Sequence, residues 1–439
     1  MTTRLSAFIT ARRAVTGSVA ALAIKASGAV LMMLVFLLAA RNLSPADFGR
    51  LAITFNLASF LAVVAVLGQD TLIMRSWSEY TGAGRLGLAR GAFWFGWCVS
   101  LAGAGGAAVL VFIAGPMVDA RLGSAELVAV AAFVCGQVAL HYSSHASRTI
   151  GGYVVSETNR ELTSRLVLLG AVGAAAQALT LPSFFWAAAA GMVLAVAAQS
   201  AALLRGFPRA VRAAAIETSP ALWFARARAM SMSASIEAAS QYVEVVLLGL
   251  LTTPAIAGAY FVAARLANLF PMLATGLHTY SISHMTRLFY AGETGALQHL
   301  LRSVMGVALL LTAPLLLGVI LLGGPLLSIF GPAYAAQYPI LLVLAVASFC
   351  VSMCGPAPGL LLTTGEERLY SRIVFGALVA RVALLALLAP RYGGLGAAAS
   401  WAVVNTPVAI ALVVLCRARC GIDPSVRCLL DPAPDQIAV

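Results

Sequence analysis

Charge is scarce in this 439-residue sequence: Asp, Glu, Lys and Arg together supply 10% of it. A domain surrounded by water carries about 25%, so the chain cannot be a soluble globular body. Lysine is almost missing, Lys25 being the only one. There is no D-x-D sequence and no Gly-rich phosphate loop, and the loops expected on the outer side are short, several with almost nothing polar. Their absence weighs against a membrane glycosyltransferase or glycan polymerase, which needs a sizeable polar loop or an acidic metal motif at its chemistry. Neither an enzymatic role nor a bound cofactor is expected.

A disulfide framework is also missing. Cys98, Cys135, Cys350 and Cys354 lie inside apolar runs, and Cys416, Cys420 and Cys428 cluster late in the chain. No histidine accompanies either C-x-x-x-C spacing, so these thiols read as small hydrophobes and no metal site is expected. The formal charge is +12, but the arginines stand between apolar runs and form no patch on a polar domain. The excess therefore points to topology and anionic lipid, with no nucleic-acid partner.

What is present is apolar sequence: 61% hydrophobic residues and a mean hydropathy of +0.94. The 18 Pro and 39 Gly within the apolar runs indicate helices, since spanning helices tolerate both, whereas barrel strands need short alternating segments. A spanning helix needs about 20 apolar residues. Runs of that kind fall at 18–40, 51–70, 91–115, 126–146, 163–182, 184–204, 229–251, 256–278, 303–322, 338–362, 372–389 and 394–416. This predicts an all-α integral membrane protein of about twelve helices. The closest junctions are at Pro182–Ser183 and Thr252–Ala255, where turn chemistry favours a break. The first run follows Arg4, Arg12 and Arg13 and exceeds a signal-peptide core, so it reads as a spanning helix.

Of the 28 basic residues, 21 fall in loops on the side of the N-terminus. Arg41, Arg50, Arg121 and Arg391 lie on the other side, and Lys25, Arg265 and Arg381 within runs. That asymmetry is the positive-inside pattern with both termini cytoplasmic.

The chain also repeats itself at an offset of about 208. Pro45, Ala46, Gly49, Leu57 and Ala58 match Pro254, Ala255, Gly258, Leu266 and Ala267; Gly115-Pro116 matches Gly324-Pro325; and Leu162, Ser164, Arg165 and Val167 match Leu369, Ser371, Arg372 and Val374. Six helices per copy is an even number, so the repeats run parallel, an architecture of transporters that bind substrate between two halves. The expected domains are a cytoplasmic N-terminus (1–17), an N-lobe (18–204), a five-arginine cytoplasmic linker (205–228), a C-lobe (229–416) and a cytoplasmic tail (417–439). The linker's arginines read as an anchor to anionic headgroups.

The string AARNLSPADFGRLAITFNLASFLAVVAVLGQDTLIMR resembles the opening of bacterial polysaccharide and O-antigen flippases of the multidrug/oligosaccharidyl-lipid/polysaccharide exporter superfamily. Its Pro-x-acid-aromatic-Gly turn and Gly-x-acid-x-x-x-x-Arg element carry the likeness. YVEVVLLGLLTTPAIAGAYFVAARL, FGPAYAAQYPILLVLAVA, LLLTTGEERLY and PRYGGLGAAASW extend it through the second half. The resemblance implies a bundle of two six-helix lobes in the bacterial inner membrane, moving an undecaprenyl-pyrophosphate-linked oligosaccharide from the cytoplasmic to the periplasmic leaflet. Such flippases serve O-antigen, lipopolysaccharide or exopolysaccharide synthesis, so the implied partners are the lipid-linked glycan, membrane lipids and the polymerase or export machinery. Two departures stand out: the position often held by Asp in the seventh span is Glu244, and the eleventh span carries Arg381. The rival readings are a small-molecule or drug exporter of the same superfamily, which predicts an acidic cavity, and a flippase of the peptidoglycan lipid precursor.

An ionised side chain at the bilayer centre costs about 2.5–3.5 kcal/mol on insertion scales. Lys25, Glu244, Arg265 and Arg381 therefore need a partner or a watery cavity, and none has a charged counterpart in the repeat. Guanidinium groups suit a pyrophosphate, which makes Arg265 and Arg381, with Lys25, the candidate headgroup ligands. Glu244 is either a coupling carboxyl or half of an ion pair with Arg265 or Lys25 that merely permits packing. His141, His145 and Arg148 share a helix face and read as an interfacial polar face or a headgroup contact, with no Cys or carboxylate expected nearby to complete a metal set. Asp70 and Arg75, in the Gly-x-acid-x-x-x-x-Arg element, are expected to pair and fix a helix end. His278, His284 and His299 surround an expected long cytoplasmic loop and receive no role. Trp94, Trp97, Trp186, Trp223 and Trp401 are expected in interfacial belts.

Overall fold

The computed structural model describes residues 23–175 and 178–430, and no strand occurs among them. The N-terminal arginines, the start of the first predicted run and the last nine residues lie outside the described residues. Among the described residues, nine helices are long and apolar enough to cross a membrane, or ten with one bent pair.

In the first half the helices are α1 (Ala23–Asn42), α2 (Pro45–Ala65), α3 (Gln69–Gly82), α4 (Leu86–Val118), α5 (Ser124–Ile150), α6 (Tyr153–Thr158), α7 (Ser164–Ala175), α8 (Leu181–Gly206), α9 (Arg209–Ala213) and α10 (Pro220–Leu251). A π-helical turn, Asn159–Thr163, joins α6 to α7. The second half holds α11 (Pro254–Ala267), α12 (Leu269–Tyr290), α13 (Thr294–Ser328), α14 (Pro332–Ala335), α15 (Tyr338–Met353), α16 (Ala357–Thr363) and α17 (Glu367–Cys420).

Every predicted run overlaps a helix, and the breaks have local causes. Thr180 caps α8, its hydroxyl accepting from Ser183 N at 3.3 Å, which separates the fifth run from the sixth. The eleventh and twelfth runs form one 54-residue helical stretch interrupted at Gly393, whose φ of 56° and ψ of −134° are not helical; L side chains rarely adopt that conformation. The tenth run is bent by 43° between α15 and α16. The fifth run starts earlier than its apolar pattern, because α6, the π turn and α7 continue one another from Tyr153. The loop expected around His278, His284 and His299 is likewise shorter. Helix α12 continues to Tyr290, and three residues suffice to turn into α13, with Gly292 at φ 72°.

The chain divides into two compact units, Met1–Val246 and Leu247–Val439. The stretch 205–228 packs on the first unit. Arg90 Nη1 donates to the Ala214 carbonyl at 2.7 Å, Glu217 N to the Gly87 carbonyl at 3.2 Å, and Trp223 is fully buried with its Nε1 donating to Tyr80 Oη at 2.9 Å. Trp223 is thus a core residue and no member of an interfacial belt, whereas Trp94 and Trp186 are half-exposed.

The repeat is visible inside each unit. Pro45 and Pro254 each open a helix that a preceding hydroxyl caps, Ser44 accepting from Asp47 N at 3.1 Å and Thr253 from Ile256 N at 3.4 Å; proline is tolerated there because its missing N–H would be unpaired anyway. Gly115-Pro116 and Gly324-Pro325 both fall near the ends of long helices, α4 and α13. In the first unit α5 is the hub, packing on α2, α3, α4 and α8; in the second α15 packs on α11, α12, α13 and α17. Large apolar side chains such as Met117 (81% exposed) and Leu310 (71% exposed) point away from these hubs. That outward apolar surface suits lipid and marks a multi-pass membrane protein.

Candidate functional site

The four ionisable residues read from sequence as intramembrane divide between the units. Lys25, on α1, is exposed, and Glu244, on α10, is half-buried. In the second unit Arg265 stands in the last turn of α11, its guanidinium carbon 4.8 Å above the ring of Phe261 one turn back. Arg381 is buried on α17 with 7% of its surface exposed. These two helices pack together, with Ile256 lying 3.6 Å from where a Cβ of Gly393 would stand. From that contact Arg265 lies about 14 Å along α11 and Arg381 about 18 Å along α17, at 1.5 Å per residue. At the position of the first repeat matching Arg265 stands Asn56, a buried amide that satisfies itself on the Ala52 carbonyl at 2.7 Å. One copy of the repeat thus carries a guanidinium where the other carries a neutral group.

The first unit holds a second polar centre, built on the hub helix. Ser143, Ser144 and Ser147 of α5 are buried, as are Ser156 and Glu157 of α6 and Gln199 of α8. Gln199 Nε2 donates to Ser144 Oγ at 3.2 Å, and Ser156 Oγ donates to the Ser144 carbonyl at 2.6 Å. Arg148 is ion-paired with Glu157 and lies 4.8 Å over the Tyr153 ring. Further along, Arg165 Nη2 lies 2.7 Å from Glu161 Oε2. Helix α1 passes directly over this pair: a Cβ on Gly28 would stand 2.6 Å from Glu161 Oε2 and 2.9 Å from Arg165 Nη1. Buried charges survive only when paired and hydrogen-bonded, and these are. The π turn between Glu157 and Arg165 is a form frequent at functional sites.

Two expectations about side-chain partners are corrected here. Asp70 does not pair with Arg75. It sits in the first turn of α3, its Oδ1 accepting from Thr71 N at 2.8 Å and its Oδ2 lying 3.4 Å from His141 Nε2, while Arg75 points to Glu79 at 3.9 Å. A helix N-terminus favours a carboxylate facing into it, and the break before α3 turns Asp70 inward. That break is strained, for Leu67 has φ 54° and Gly68 φ 71°, positive values a branched side chain adopts only under constraint. The second correction follows: the histidine pair does have a carboxylate beside it, and α3 packing on α5 supplies it. Arg148, engaged with Glu157, does not share the histidines' partner.

Sequence reasoning passed over Glu157 and Glu161 because 147–162 read as a loop, and saw in Arg165 only a member of the repeat. The signal was present in their spacing, since i, i+4 and i+8 fall on one helix face.

No family model matches the chain, and no curated protein matches it in sequence. Solved structures do. An inward-facing multidrug resistance MATE family transporter of the MOP superfamily superposes with a TM-score of 0.76 at 12% identity, over 92% of this chain and 98% of that one. The lipid II flippase MurJ in an inward closed conformation gives 0.71 at 12% identity, over 93% and 90%. A MOP superfamily transporter from Pyrococcus furiosus, described as having a binding pocket of reverse polarity, gives 0.64 at 14% identity, over 93% and 95%. The chain has the fold of MOP superfamily transporters. At these identities the likeness establishes the fold of nearly the whole chain, and the neighbours that share it are transporters and flippases.

Proposed function

We propose that this chain is a flippase that carries an undecaprenyl-pyrophosphate-linked oligosaccharide or polysaccharide precursor across the bacterial inner membrane by alternating access. The fold is common to drug exporters and a lipid flippase, so fold alone does not choose between them. The observation that carries the choice is Arg381, a guanidinium buried to 7% exposure in an apolar helix packed against the helix of Arg265. Keeping such a charge in the bilayer is costly, and a function that needs it explains its presence. A pyrophosphate offers oxygens that match the planar fork of arginine, whereas a cationic drug calls for carboxylates. The motifs shared with polysaccharide flippases point the same way. The polymerase and export machinery would take the glycan on the periplasmic side.

A second reading, a multidrug exporter, is favoured by the likeness to the MATE transporter. One experiment separates them. The purified chain is reconstituted into vesicles containing a fluorescent undecaprenyl-pyrophosphate oligosaccharide, and the lipid exposed on the outer leaflet is followed by quenching. Headgroup movement above that of protein-free vesicles supports the flippase. No movement, together with uptake of a cationic dye by the same vesicles, establishes the exporter and overturns the proposal.

A further inference from the structure

The histidine pair on α5 and the carboxylate on α3 do more than fill the first unit with polarity. One ligand atom from each of Asp70, His141 and His145 falls within 4.8 Å of the other two. The 3.4 Å between Asp70 Oδ2 and His141 Nε2 matches the roughly 3.3–3.4 Å edge of a tetrahedron around an ion with bonds of about 2.0–2.1 Å. The second oxygen of Asp70 and the second ring nitrogen of His145 are held in the manner of supporting contacts around a metal. Asp70 Oδ1 accepts from Thr71 N at 2.8 Å. His145 Nδ1 lies 2.9 Å from the His141 carbonyl, an acceptor only, so Nδ1 carries the proton and Nε2 keeps its lone pair. A ring fixed through its second nitrogen in this way is the arrangement of a metal-bound histidine. Asp70 is 7% exposed and the His141 side chain 19%, which shields the cluster while leaving one edge open.

We propose that Asp70, His141 and His145 form a binding site for a divalent transition-metal ion, Zn²⁺ above all, that fastens α3 to α5. Two imidazoles and one carboxylate suit Zn²⁺, Co²⁺ or Ni²⁺; Na⁺, Mg²⁺ and Ca²⁺ prefer oxygen alone. Three protein ligands leave a fourth position for water or another oxygen donor. Arg160 is close enough to His145 to act on it electrostatically, and its charge sets a limit on affinity. The site ties the Leu67–Gly68 break to the hub helix, so occupancy would stiffen the irregular junction that precedes α3. None of this depends on the transported substrate.

The test uses the full chain purified in detergent, stripped with a chelator and titrated with Co²⁺ as a coloured probe and then with Zn²⁺. One Co²⁺ per chain with the strong visible absorption of a four- or five-coordinate ion is expected, displaced by Zn²⁺ and unaffected by excess Na⁺ or Mg²⁺. His141→Ala and His145→Gln should each weaken binding by on the order of 100-fold. A Cys416→Ser/Cys420→Ser/Cys428→Ser variant, which removes the thiols at the end of the second unit, should bind as the unaltered chain does. A measurement on the unaltered chain covers the case in which a histidine variant fails to fold: Zn²⁺ should protect His141 and His145 from acylation by diethyl pyrocarbonate. Absence of stoichiometric binding, binding that survives in His141→Ala/His145→Ala, loss of binding in the cysteine variant, or no protection of the two histidines would each overturn the site.

Discussion

Arg165 Nη2 and Glu161 Oε2 stand 2.7 Å apart, Glu161 in the middle of a π-helical turn and Arg165 just beyond it, in the interior of the first unit. Each lies among apolar helices, with 26% and 11% of its side chain exposed. Their pairing makes the interior position tolerable and gives the polar centre a fixed geometry.

Replacing Glu161 by Ala strands that guanidinium. Breaking a buried pair from one side costs about 3–5 kcal/mol, and the partial exposure of Arg165 places the expected loss near the lower end, about 3 kcal/mol. Thermal unfolding of the purified protein reads it. Replacing both residues by apolar side chains of similar volume should cost much less, and an equal loss in the double variant would show that the ion pair is not the cause.

Gly28 is the position where α1 crosses the pair. A methyl group there would overlap Glu161 and Arg165, so Gly28→Ala should destabilise by about 1–3 kcal/mol, the usual cost of overpacking. The Glu161→Ala background tests the assignment, since the cost of Gly28→Ala should fall when the carboxylate is removed.

Trp223 anchors the start of α10 in the first unit's core, beside Phe93, Val211 and Tyr80. Trp223→Ala should cost about 3–5 kcal/mol. Tyr80→Phe is the subtler variant: it leaves the buried indole N–H without its acceptor, for about 1–3 kcal/mol. Protease sensitivity in the stretch 205–228 provides a local readout, and both variants should raise it.

Gly393 interrupts α17 with a φ of 56° and a ψ of −134°. An L side chain there should cost about 1–3 kcal/mol. If Gly393→Ala is as stable as the unaltered protein, the interruption is not a fixed feature of the helix.

For transport, Arg381→Gln should reduce movement of the pyrophosphate-linked lipid by at least an order of magnitude, with insertion and melting behaviour retained. Arg381→Lys should recover only part, because lysine keeps the charge but lacks the planar fork. Equal transport by all three forms would remove Arg381 from the proposed headgroup site.

How much could be read in advance depended on how local the cause was. Apolar runs, the repeat and the breaks near Pro182–Ser183 and Thr252–Ala255 follow from side chains acting within a few residues, and sequence displays them directly. The start of the fifth run was displaced because Glu157, Glu161 and Arg165 are charged, and hydropathy cannot tell a charge facing water from one facing a buried partner. The Asp70–Arg75 expectation failed for a related reason: neighbours in sequence were favoured over a partner seventy residues away.

Sequence alone thus determined that the chain is an apolar helical protein, doubled, with few and identifiable charges, because the bilayer imposes length and composition on every spanning segment. Only the tertiary structure decided which of those charges meet. Asp70 comes to His141, Glu157 to Arg148 and Trp223 to Tyr80 through helix packing, and packing is set by the shapes of surfaces that no single segment carries.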